Sequence, residues 1–378
     1  MRVLQETLKS DFSPTELDAL VQLHPQLVLV FGSVDALKAG AVAVTQVFPQ
    51  AQCMGCSTAG EISQTGVSDV GLVVTAVHFD KTQIHTYSTE LLGMDDSHAA
   101  GKRLAQGLPL VGLRAVFILG QGVQINGSAV LAGMVDVLGS QVPITGGLAG
   151  DGGAFAETWV LDSLGVSAKR LTCVGFYGDG LAISHGSFGG WSPFGPARKV
   201  TRCDNNVLYE LDGEPALEVY KRYLGEHAAG LPASGLLFPF AMLGKEHTEI
   251  GLIRTILAVD EAQGSLTLAG DIDPDGYLKL MHAKTDDLVD GAAAAAQAAQ
   301  GAQSLAGESL ALLVSCVGRK LVMGGRAEEE VEAVAEVFGK SSTITGFYSY
   351  GEISPFSGAV ECKLHNQTMT ITRLCEPS

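Results

Sequence analysis

The sequence repeats one glycine-framed motif near its two ends, and this repeat constrains the fold more than any other feature. Residues 55–63 read GCSTAGEIS and residues 346–354 read GFYSYGEIS, so both follow the frame G-x-x-x-x-G-E-I-S. Each copy follows an apolar run, a helix-like stretch and a short turn, so a whole supersecondary unit recurs. We therefore expect residues 27–63 and 310–354 to superpose as strand, helix, turn and strand, with Glu61 and Glu352 at matching positions.

A third, degenerate copy lies between these two, at residues 145–152. Residues 145–152 read TGGLAGDG and again follow an apolar strand and a helix. This copy has one residue fewer between its glycines, and Asp151 replaces the glutamate. Glycines at both ends of a frame indicate positive-φ turns or close backbone approach, so the acidic residue that follows is expected at a fixed position.

Composition limits the classes of protein to which the chain can belong. Charged residues make up 17% of the 378 residues and apolar residues 46%, which is typical of a compact globular protein. The net charge of −17 opposes binding to nucleic acid and anionic membranes. No apolar run reaches the roughly 18 residues of a membrane-spanning helix, and Met1 to Ser10 lacks the apolar core of a signal peptide. We expect a cytoplasmic protein.

The order of predicted elements indicates an α+β (mixed α/β) fold. Strands and helices first alternate and then give way to consecutive strands, which favours mixed β-sheets flanked by helices over a purely parallel sheet. We expect two lobes built from repeated strand-helix-strand units with internal pseudo-symmetry. The expected division is an N-terminal helical arm over residues 1–24, a first domain over 25–200 and a second domain over 201–378. A turn-rich stretch from Gly189 to Pro196 marks the expected passage out of the first lobe.

Sequence patterns of known catalytic sites are missing, and the prediction is that the chain is not an enzyme. There is no G-x-S-x-G nucleophile elbow, no phosphate loop and no H-E-x-x-H zinc motif. Cys56 or Cys316 could act as a nucleophile with one of nine histidines as base, although nothing local pairs them. Glu61 and Glu352 could form an acid/base pair, although a carboxylate after a turn glycine more often caps backbone N–H groups. No metal site is predicted, since the single C-x-x-C of Cys53 and Cys56 is a weak signal.

A ligand pocket is expected where the repeated units meet, because repeated domains commonly bind ligands at their shared interface. The polar groups that could line it stand at strand ends and turns. From the first frame these are Cys56, Ser57, Thr58 and Glu61, and from the second frame Tyr348, Ser349, Tyr350 and Glu352. Arg319 is a candidate clamp for a carboxylate or a haem propionate.

Six motifs in a fixed order give the chain a family resemblance. Besides the three glycine frames they are residues 206–216 (NVLYELDGEPA), 268–272 (LAGDI) and 315–319 (SCVGR). Together they resemble a FIST protein over roughly residues 25–362, with N-terminal and C-terminal FIST domains at the two divisions given above. The resemblance implies a sensory module of bacterial signalling that binds a small ligand and has no catalytic mechanism.

Stand-alone members of that family, which the chain resembles, include haem proteins that sense nitric oxide and control a separate histidine kinase. If haem binds here, His185 and His282 are the first candidates for the axial ligand and His247 the next, although cysteine or tyrosine ligation stays open. The rival interpretation is a sensor of a small polar metabolite such as an amino acid, and a thiol enzyme is a third. The expected partners are the ligand and a histidine kinase or other signalling protein. A homodimer is compatible with each of these readings.

Overall fold

The protein folds into two lobes, one built from three copies of a single unit and the other inserted into the third copy. The computed structural model describes residues 1–9, 11–301, 307–356 and 361–377. Helices flank sheets that mix parallel and antiparallel strands, so the predicted mixed α/β class is confirmed. The inserted lobe covers residues 192–282, and all three repeated units lie in the other lobe, which we call the body.

Each unit runs edge strand, helix, strand, helix, strand, short hairpin and strand. The first unit consists of β1 (Arg2–Leu8), α1 (Asp18–Gln22), β2 (Leu27–Gly32), α2 (Val34–Val47), β3 (Gln52–Ser57), β4 (Glu61–Ser63), β5 (Gly66–Ser68) and β6 (Leu72–His78). The second unit consists of β7 (Gln83–Glu90), α3 (Ser97–Gln106), β8 (Leu113–Gly120), α4 (Gly127–Leu138), β9 (Ile144–Leu148), β10 (Val160–Asp162), β11 (Gly165–Ser167) and β12 (Arg170–Tyr177).

The third unit begins with β13 (Ala182–Phe188) and resumes after the inserted lobe. That lobe contains β14 (Ser192–Asp204), β15 (Val207–Leu211), β16 (Glu214–Pro215), α5 (Ala216–Leu224), β17 (Phe240–Leu243), β18 (Glu249–Arg254), β19 (Ile256–Asp260), β20 (Ser265–Leu268) and β21 (Tyr277–His282). The unit then continues with α6 (Thr285–Gln300), β22 (Ser309–Cys316), α7 (Val317–Met323), α8 (Glu328–Phe338), β23 (Ser342–Ser349), β24 (Gly351–Pro355), β25 (Cys362–His365) and β26 (Met369–Cys375). The order of strand, helix and strand that the sequence predicts for residues 27–63 and 310–354 is confirmed in both segments.

The three units exchange their hairpins in a closed cycle. The first hairpin, β4–β5, extends the third unit's sheet beside β23, and the third hairpin, β24–β25, extends the second unit's sheet beside β9. The second hairpin, β10–β11, completes the cycle beside β3. Each sheet therefore contains strands from two units, and the body is a three-part structure that no single unit could complete.

The first glycine of each frame is required by close strand packing. Gly55, Gly146 and Gly346 lie in the second strand of the three parallel pairs β2/β3, β8/β9 and β22/β23. A Cβ atom at any of the three would overlap the carbonyl oxygen of the neighbouring strand, which belongs to Val30, Ile118 and Leu313 in turn. The same steric reason at three equivalent places shows that the degenerate copy is a true repeat.

One apolar core lies where the three sheets meet. Phe31, Phe117, Val314 and Phe347 belong to this shared core, and the rings of Phe31 and Phe347 stack with centroids 4.8 Å apart. The opposite faces of the sheets carry three further clusters under the helices of the three units, and the inserted lobe has its own core. Buried apolar faces on both sides explain why the central strands read as continuous apolar runs.

Strand register corrects the sequence alignment of the third glycine frame. Ile62, Ile353 and Leu161 stand opposite Gly346, Gly146 and Gly55, respectively. The position before each of them holds Glu61, Glu352 and Val160, so Val160 and not Asp151 matches the glutamates. Eight residues, 151–158, are an insertion that places Asp151 in a loop of its own.

Two local predictions need adjustment. The segment 1–24, expected to be a helical arm, begins with β1, because Val3 and Leu8 pack inward while the backbone pairs with β6, and only residues 14–22 are helical. The stretch 192–196, expected to be turns, starts the strand β14, which tolerates its prolines beside a bulge between Phe194 and Arg198. The sequence also predicts a closing strand pair over residues 358–373 and an alanine-rich helix over 286–303, and their terminal residues Gly358 and Gln303 lie outside the described residues. Within the described ranges, no helix has the length and apolar character needed to span a bilayer.

Candidate functional site

A cleft opens at the carboxyl ends of β2 and β3, beside the first glycine frame. Its volume is about 470 Å³. All three units contribute to its lining, which consists of Ser33, Val34, Asp35, Thr58, Gly60 and Asp69 from the first, Asp151 and Gly152 from the second, and Lys320 from the third. Parallel strands commonly present ligand sites at their carboxyl ends, because side chains and helix N-termini from separate elements converge there.

The N-terminus of α2 forms one wall of the cleft. Ser33 is the N-cap of this 14-residue helix, and its hydroxyl accepts a hydrogen bond from the N–H of Ala36 at 3.3 Å. The first turn of a helix carries partial positive charge and N–H groups without intrahelical partners. Val34 and Asp35 of that turn line the cleft. This wall therefore suits a negatively charged group of a ligand.

Lys320 of α7 supplies the cation of the cleft. Its ammonium donates to the carbonyl oxygen of Ala59 at 2.8 Å and forms an ion pair with Asp69. It also lies 5.3 Å from the centre of the Tyr348 ring, a distance that allows a cation–π contact. These contacts come from the first frame and from the second frame, so the lysine connects the two repeats at the cleft. Gly60 has a φ of +137°, which favours glycine, and an added Cβ atom there would also meet the Lys320 ammonium.

The inserted loop 151–157 forms the opposite wall and is organised by the Tyr350 hydroxyl. That hydroxyl donates to the Asp151 carboxylate and accepts hydrogen bonds from the N–H groups of Asp151, Gly153 and Phe155 at 3.0 to 3.3 Å. The Phe155 ring stacks on the Tyr350 ring with centroids 4.2 Å apart, although Phe155 has a φ of +53°. A bulky residue rarely adopts this backbone conformation, so the stack and the hydrogen bonds hold the loop in place.

Asp151 keeps its negative charge inside this loop. Burial opposes ionisation, but the hydrogen bond from Tyr350 and those from the N–H groups of Glu157, Ala156 and Phe155 outweigh it. The pKa of Asp151 is therefore held below its usual range. Together with Asp35 and Asp69, this carboxylate gives the cleft three negative groups against the single ammonium of Lys320.

Glu61, a predicted site residue, is buried behind the cleft. Its carboxylate accepts a hydrogen bond from the Thr58 hydroxyl at 2.7 Å and lies 3.4 Å from the N–H of Gly71. Burial raises the pKa of Glu61 despite these donors and a further one from Ser68. Thr58, whose hydroxyl also accepts the N–H of Gly60 at 3.1 Å, lines the cleft itself. Glu61 thus positions a cleft residue.

Glu352 and Ser349 repeat this arrangement away from the cleft. The Ser349 hydroxyl donates to the Glu352 carboxylate at 2.7 Å, and Thr368 donates through its hydroxyl at 3.0 Å and its N–H at 3.2 Å. Burial raises the pKa of Glu352 to about 8 against these donors. Glu61 and Glu352 have separate hydrogen-bond partners and pair with different sheets. The structure therefore does not bring the two glutamates together as an acid/base pair.

Three other predicted residues contribute to the contacts between units. Cys56 is fully buried in the shared core, and burial raises the pKa of its thiol well above the ordinary value. The Ser57 hydroxyl donates to the carbonyl oxygen of Gly150 at 2.6 Å and accepts the N–H of Trp159 at 2.9 Å, which joins the first unit to the second. The buried Tyr348 donates to the carbonyl oxygen of Ala327 at 3.2 Å, and its ring lies beneath Lys320.

Arg319, the predicted clamp, points away from the cleft. It is fully buried and forms an ion pair with Glu330 at 2.7 Å. It also donates to the carbonyl oxygen of Leu288 at 2.8 Å and to that of Gly189. Its guanidinium therefore ties α7 to α8, to α6 and to the linker before the inserted lobe. Desolvation of both charges is offset only because they are paired and hydrogen bonded.

The two histidines predicted as haem ligands stand on different strands. His185 lies on β13, which packs against α6, and burial lowers the pKa of its imidazole. His282 ends β21 opposite Ser192, with its ring 6.0 Å from the Phe194 ring. Neither histidine lines the cleft. Whether either one binds haem stays a prediction.

The sequence analysis missed Lys320, Asp35, Asp69 and the position of Asp151 in the cleft lining. A usable signal existed for the first two, because Ser33 and Cys316 are the N-caps of α2 and α7 at the ends of the preceding strands, and strand ends are where such sites form. Nothing local indicates that Lys320, rather than its neighbour Arg319, reaches the cleft. Within the described ranges, no group of three or more acidic, histidine or cysteine side chains could hold a metal ion.

Comparison with known families agrees with the resemblance seen in the sequence. A family model for the FIST N domain matches residues 26–214, which is half of the chain, and a model for the FIST C domain matches residues 216–355. An uncharacterized protein of Methanocaldococcus jannaschii is 27% identical over 204 residues, covering 51% of this chain. The chain spans 39% of the length of that relative.

Comparison with solved structures corrects the prediction that the chain is not an enzyme. The similar structures include the cyanuric acid hydrolase of A. caulinodans, with a TM-score of 0.37 over 100% of this chain and 99% of that one. A second cyanuric acid hydrolase structure has a TM-score of 0.36 over 99% of both chains. Both are enzymes, and the prediction is withdrawn. Each is only 8% identical to this chain, so the likeness says nothing about a reaction or substrate here.

Proposed function

Because the chain belongs to the FIST family, whose domains are sensory signal-transduction domains that bind small ligands, we propose that it senses a small polar metabolite in the cleft beside the first glycine frame. The observation that carries the proposal is that one cleft gathers charged groups from all three units. A ligand that touches all three can change how they pack against one another. The cleft volume of about 470 Å³ suits a small molecule.

The charges favour a ligand that carries an amine and an acidic group, such as an amino acid. Asp35 offers a carboxylate to an ammonium group, and Asp151, which stays ionised for the reasons given above, adds negative charge to the same cleft. The ammonium of Lys320 and the N-terminus of α2 offer positive charge to a carboxylate. A ligand carboxylate would compete with Asp69 for Lys320, so binding would exchange one ion pair for another.

Signal output through the inserted loop is the second part of the proposal. Asp151 and Gly152 line the cleft, while Phe155 is partly exposed and stacks on Tyr350. A ligand that prefers one arrangement of this loop shifts the population of the surface that the loop presents. A separate signalling protein, such as a histidine kinase, would read that surface.

Haem-based sensing of nitric oxide is the finer form of the sequence prediction, and the cleft residues do not fit haem. Haem iron needs an axial donor such as His, Cys, Met or Tyr, and none of the nine lining residues is one of these. The lining is also strongly charged, whereas a haem pocket is mostly apolar. A visible absorption spectrum of protein made in haem-replete cells tests that prediction by itself.

A thermal-shift screen tests the proposed function. The panel contains the amino acids together with analogues that lack either the amine or the carboxylate. A ligand at one hundred times its dissociation constant stabilises the native state by about 2.7 kcal/mol, which raises the melting temperature measurably. We expect an amino acid to stabilise the wild-type protein and both truncated analogues to stabilise it much less.

The variant Lys320→Met makes the screen specific to the cleft. Its apolar side chain keeps most of the volume but cannot bind a carboxylate, so the stabilisation should disappear. Lys169→Met is the matched control, because Lys169 is exposed and lies outside the cleft lining. The proposal fails if no compound of the panel stabilises the wild type, or if Lys320→Met responds as the wild type does.

A further inference from the structure

The charged residues that line the cleft beside the first glycine frame stand at positions where the other units have uncharged residues. Asp69 is the first example, because it follows the residue of β5 that pairs with Glu61. Strand pairing in the other two hairpins places Ala168 and Asn366 at the matching positions. The repeated scaffold therefore folds without an acid at this place, and the Asp69 carboxylate is specific to the cleft.

Asp35 is the second example, at the start of α2. It is the second residue after the N-cap of that helix, and the matching residues after the N-caps of α4 and α7 are Ser128 and Gly318. Asp35 is exposed, and its carboxylate has no ion pair or hydrogen bond within the part of the chain that the structure describes. This carboxylate is therefore available to a cation in the cleft.

Lys320, the cation of the cleft, also departs from the repeat. It is the fourth residue after the N-cap of α7, and the matching residues of α2 and α4 are the fully buried Leu37 and Val130. The ammonium of Lys320 instead reaches the first unit, where its partners are Asp69 and the carbonyl oxygen of Ala59. Charged side chains that break a repeat and meet at one cleft are typical of a binding site.

The charge balance of the cleft limits which ligand it prefers. A ligand carboxylate that pairs with Lys320 leaves Asp69 without its cation. Asp69 lies close enough to Glu61 that its charge, after burial, helps to raise the pKa of that carboxyl, so an Asp69 without a cation is unfavourable. Asp35 needs a cation as well, and the single ammonium of a neutral amino acid can pair with only one of the two aspartates.

From the convergence of Asp35, Asp69 and Lys320 on one cleft, we propose that the preferred ligand is a basic amino acid, such as lysine, ornithine or arginine. This inference rests on the proposed function and names the ligand class of the same site. The ligand carboxylate pairs with Lys320, and the two cationic groups of the ligand pair with the two aspartates. The cleft volume of about 470 Å³ accommodates the longer side chain.

Titration calorimetry with matched pairs of amino acids tests the proposal on the full chain. Arginine is compared with citrulline and lysine with norleucine, because each neutral partner has nearly the same length but lacks the side-chain charge. We expect each basic amino acid to bind at least about fivefold more tightly than its neutral partner, since a charge-assisted hydrogen bond exceeds a neutral one even when solvent screens it. Raising the salt concentration should reduce this ratio.

Two variants replace the aspartates with residues that the other units carry. Asp69→Asn and Asp35→Ser should each reduce the preference for arginine over citrulline to less than about twofold, because the ammonium of a neutral amino acid then balances the one aspartate that is left. Asp179→Asn is the matched control, since the Asp179 side chain is 95% exposed and lies outside the cleft lining. This control should keep the wild-type ratio, and melting curves show whether each variant is folded.

The outcomes separate this inference from the proposed function. If citrulline and norleucine bind the wild type as tightly as arginine and lysine do, the preference for a basic ligand is refuted, and the proposed function stands with a neutral amino acid. The preference is also refuted if Asp69→Asn and Asp35→Ser both keep the wild-type ratio. If no amino acid binds at all, the proposed function fails and this inference fails with it.

Discussion

Glu61 and Glu352 occupy the same position of the repeated frame, but their surroundings differ. Glu61 lies behind an open cleft, whereas Glu352 lies in a closed contact between units. Each accepts a hydrogen bond at 2.7 Å from a hydroxyl three residues earlier, Thr58 or Ser349. In the first unit, Thr58 and the start of α2 face the cleft. In the third unit, the matching helix start at Gly318 is packed so closely against the Gln367 side chain that a Cβ atom would clash with it.

The inserted lobe explains this difference. The Gln367 side chain donates to the carbonyl oxygen of Leu236 in that lobe at 2.9 Å, and Trp191 donates to the carbonyl oxygen of Gln367 at 2.8 Å. The lobe therefore covers the strand ends of the third unit, while those of the first unit stay accessible. The repeat supplies the same scaffold in the first and third units, and what covers each copy decides whether it can bind a ligand.

Substitution of the first glycine in each frame has the largest expected effect. Gly346→Ala and Gly55→Ala should each cost about 4 kcal/mol or more in the free energy of unfolding, or prevent folding, because the new Cβ atom overlaps a backbone carbonyl. Urea unfolding measures the effect. Gly325→Ala is the control, since nothing lies within 4 Å of a Cβ atom there. If alanine is tolerated in only one of the two frames, the two copies are not structurally equivalent.

The pH dependence of stability should distinguish the two glutamates. The native-state pKa of Glu352, about 8, lies above its ordinary value of 4.5, so between those values the native state binds more protons than the unfolded state. Stability therefore falls as pH rises from about 5 to 8, and Glu352→Gln should remove this fall and gain on the order of 3 kcal/mol at pH 8. Burial raises the pKa of Glu61 as well, but by less than that of Glu352, so a smaller gain is expected for Glu61→Gln. Urea unfolding at pH 5 and pH 8 measures both variants. Equal gains in the free energy of unfolding would show that the two glutamates do not differ in this way.

The loop 151–157 should depend on Tyr350 and not on Tyr348. Tyr350→Phe removes an oxygen that accepts three N–H groups, so we expect a local cost of about 1–3 kcal/mol and faster hydrogen exchange at Gly153 and Phe155. Tyr348→Phe is the matched control, because its hydroxyl donates to Ala327 of the third unit and not to the loop 151–157. Unchanged exchange in Tyr350→Phe would show that the Phe155 stack alone holds the loop.

Lys320→Met should have the smallest effect on stability. Asp69, its ion-pair partner, is 63% exposed, and such pairs contribute about 0–1 kcal/mol. We expect the free energy of unfolding to change by less than about 1 kcal/mol, while binding in the cleft is lost. A large loss of stability would instead make Lys320 a structural tie between the first and third units.

Sequence reasoning found the parts of the fold that depend on local spacing. The two glutamate frames and their strand-helix-strand units follow from spacing in the chain, and Gly146 of the degenerate copy proved to be equivalent for the same steric reason. The cyclic exchange of hairpins was out of reach, because β4 pairs with β23 across almost 300 residues and no local pattern specifies a partner at that distance.

The cleft was harder to predict than the fold, because the side chains of neighbouring residues point in different directions. Arg319 and Lys320 are adjacent, but successive positions on a helix differ by about 100° in direction, so one is buried against Glu330 and the other reaches Ala59. Asp151 was found as the acid of a degenerate frame. Only strand register shows that Val160 holds the glutamate position and that Asp151 belongs to a separate loop.

Hydrogen exchange mapped with and without the amino acid found in the thermal-shift screen tests the central claim most directly. The account predicts protection of residues 57–60, of the loop 151–157 and of the segment around Lys320, with no change at residues 349–352 or 366–368. Protection centred on residues 349–352, with the first frame unchanged, would contradict the claim that the open copy of the repeat binds the ligand and the covered copy holds the units together.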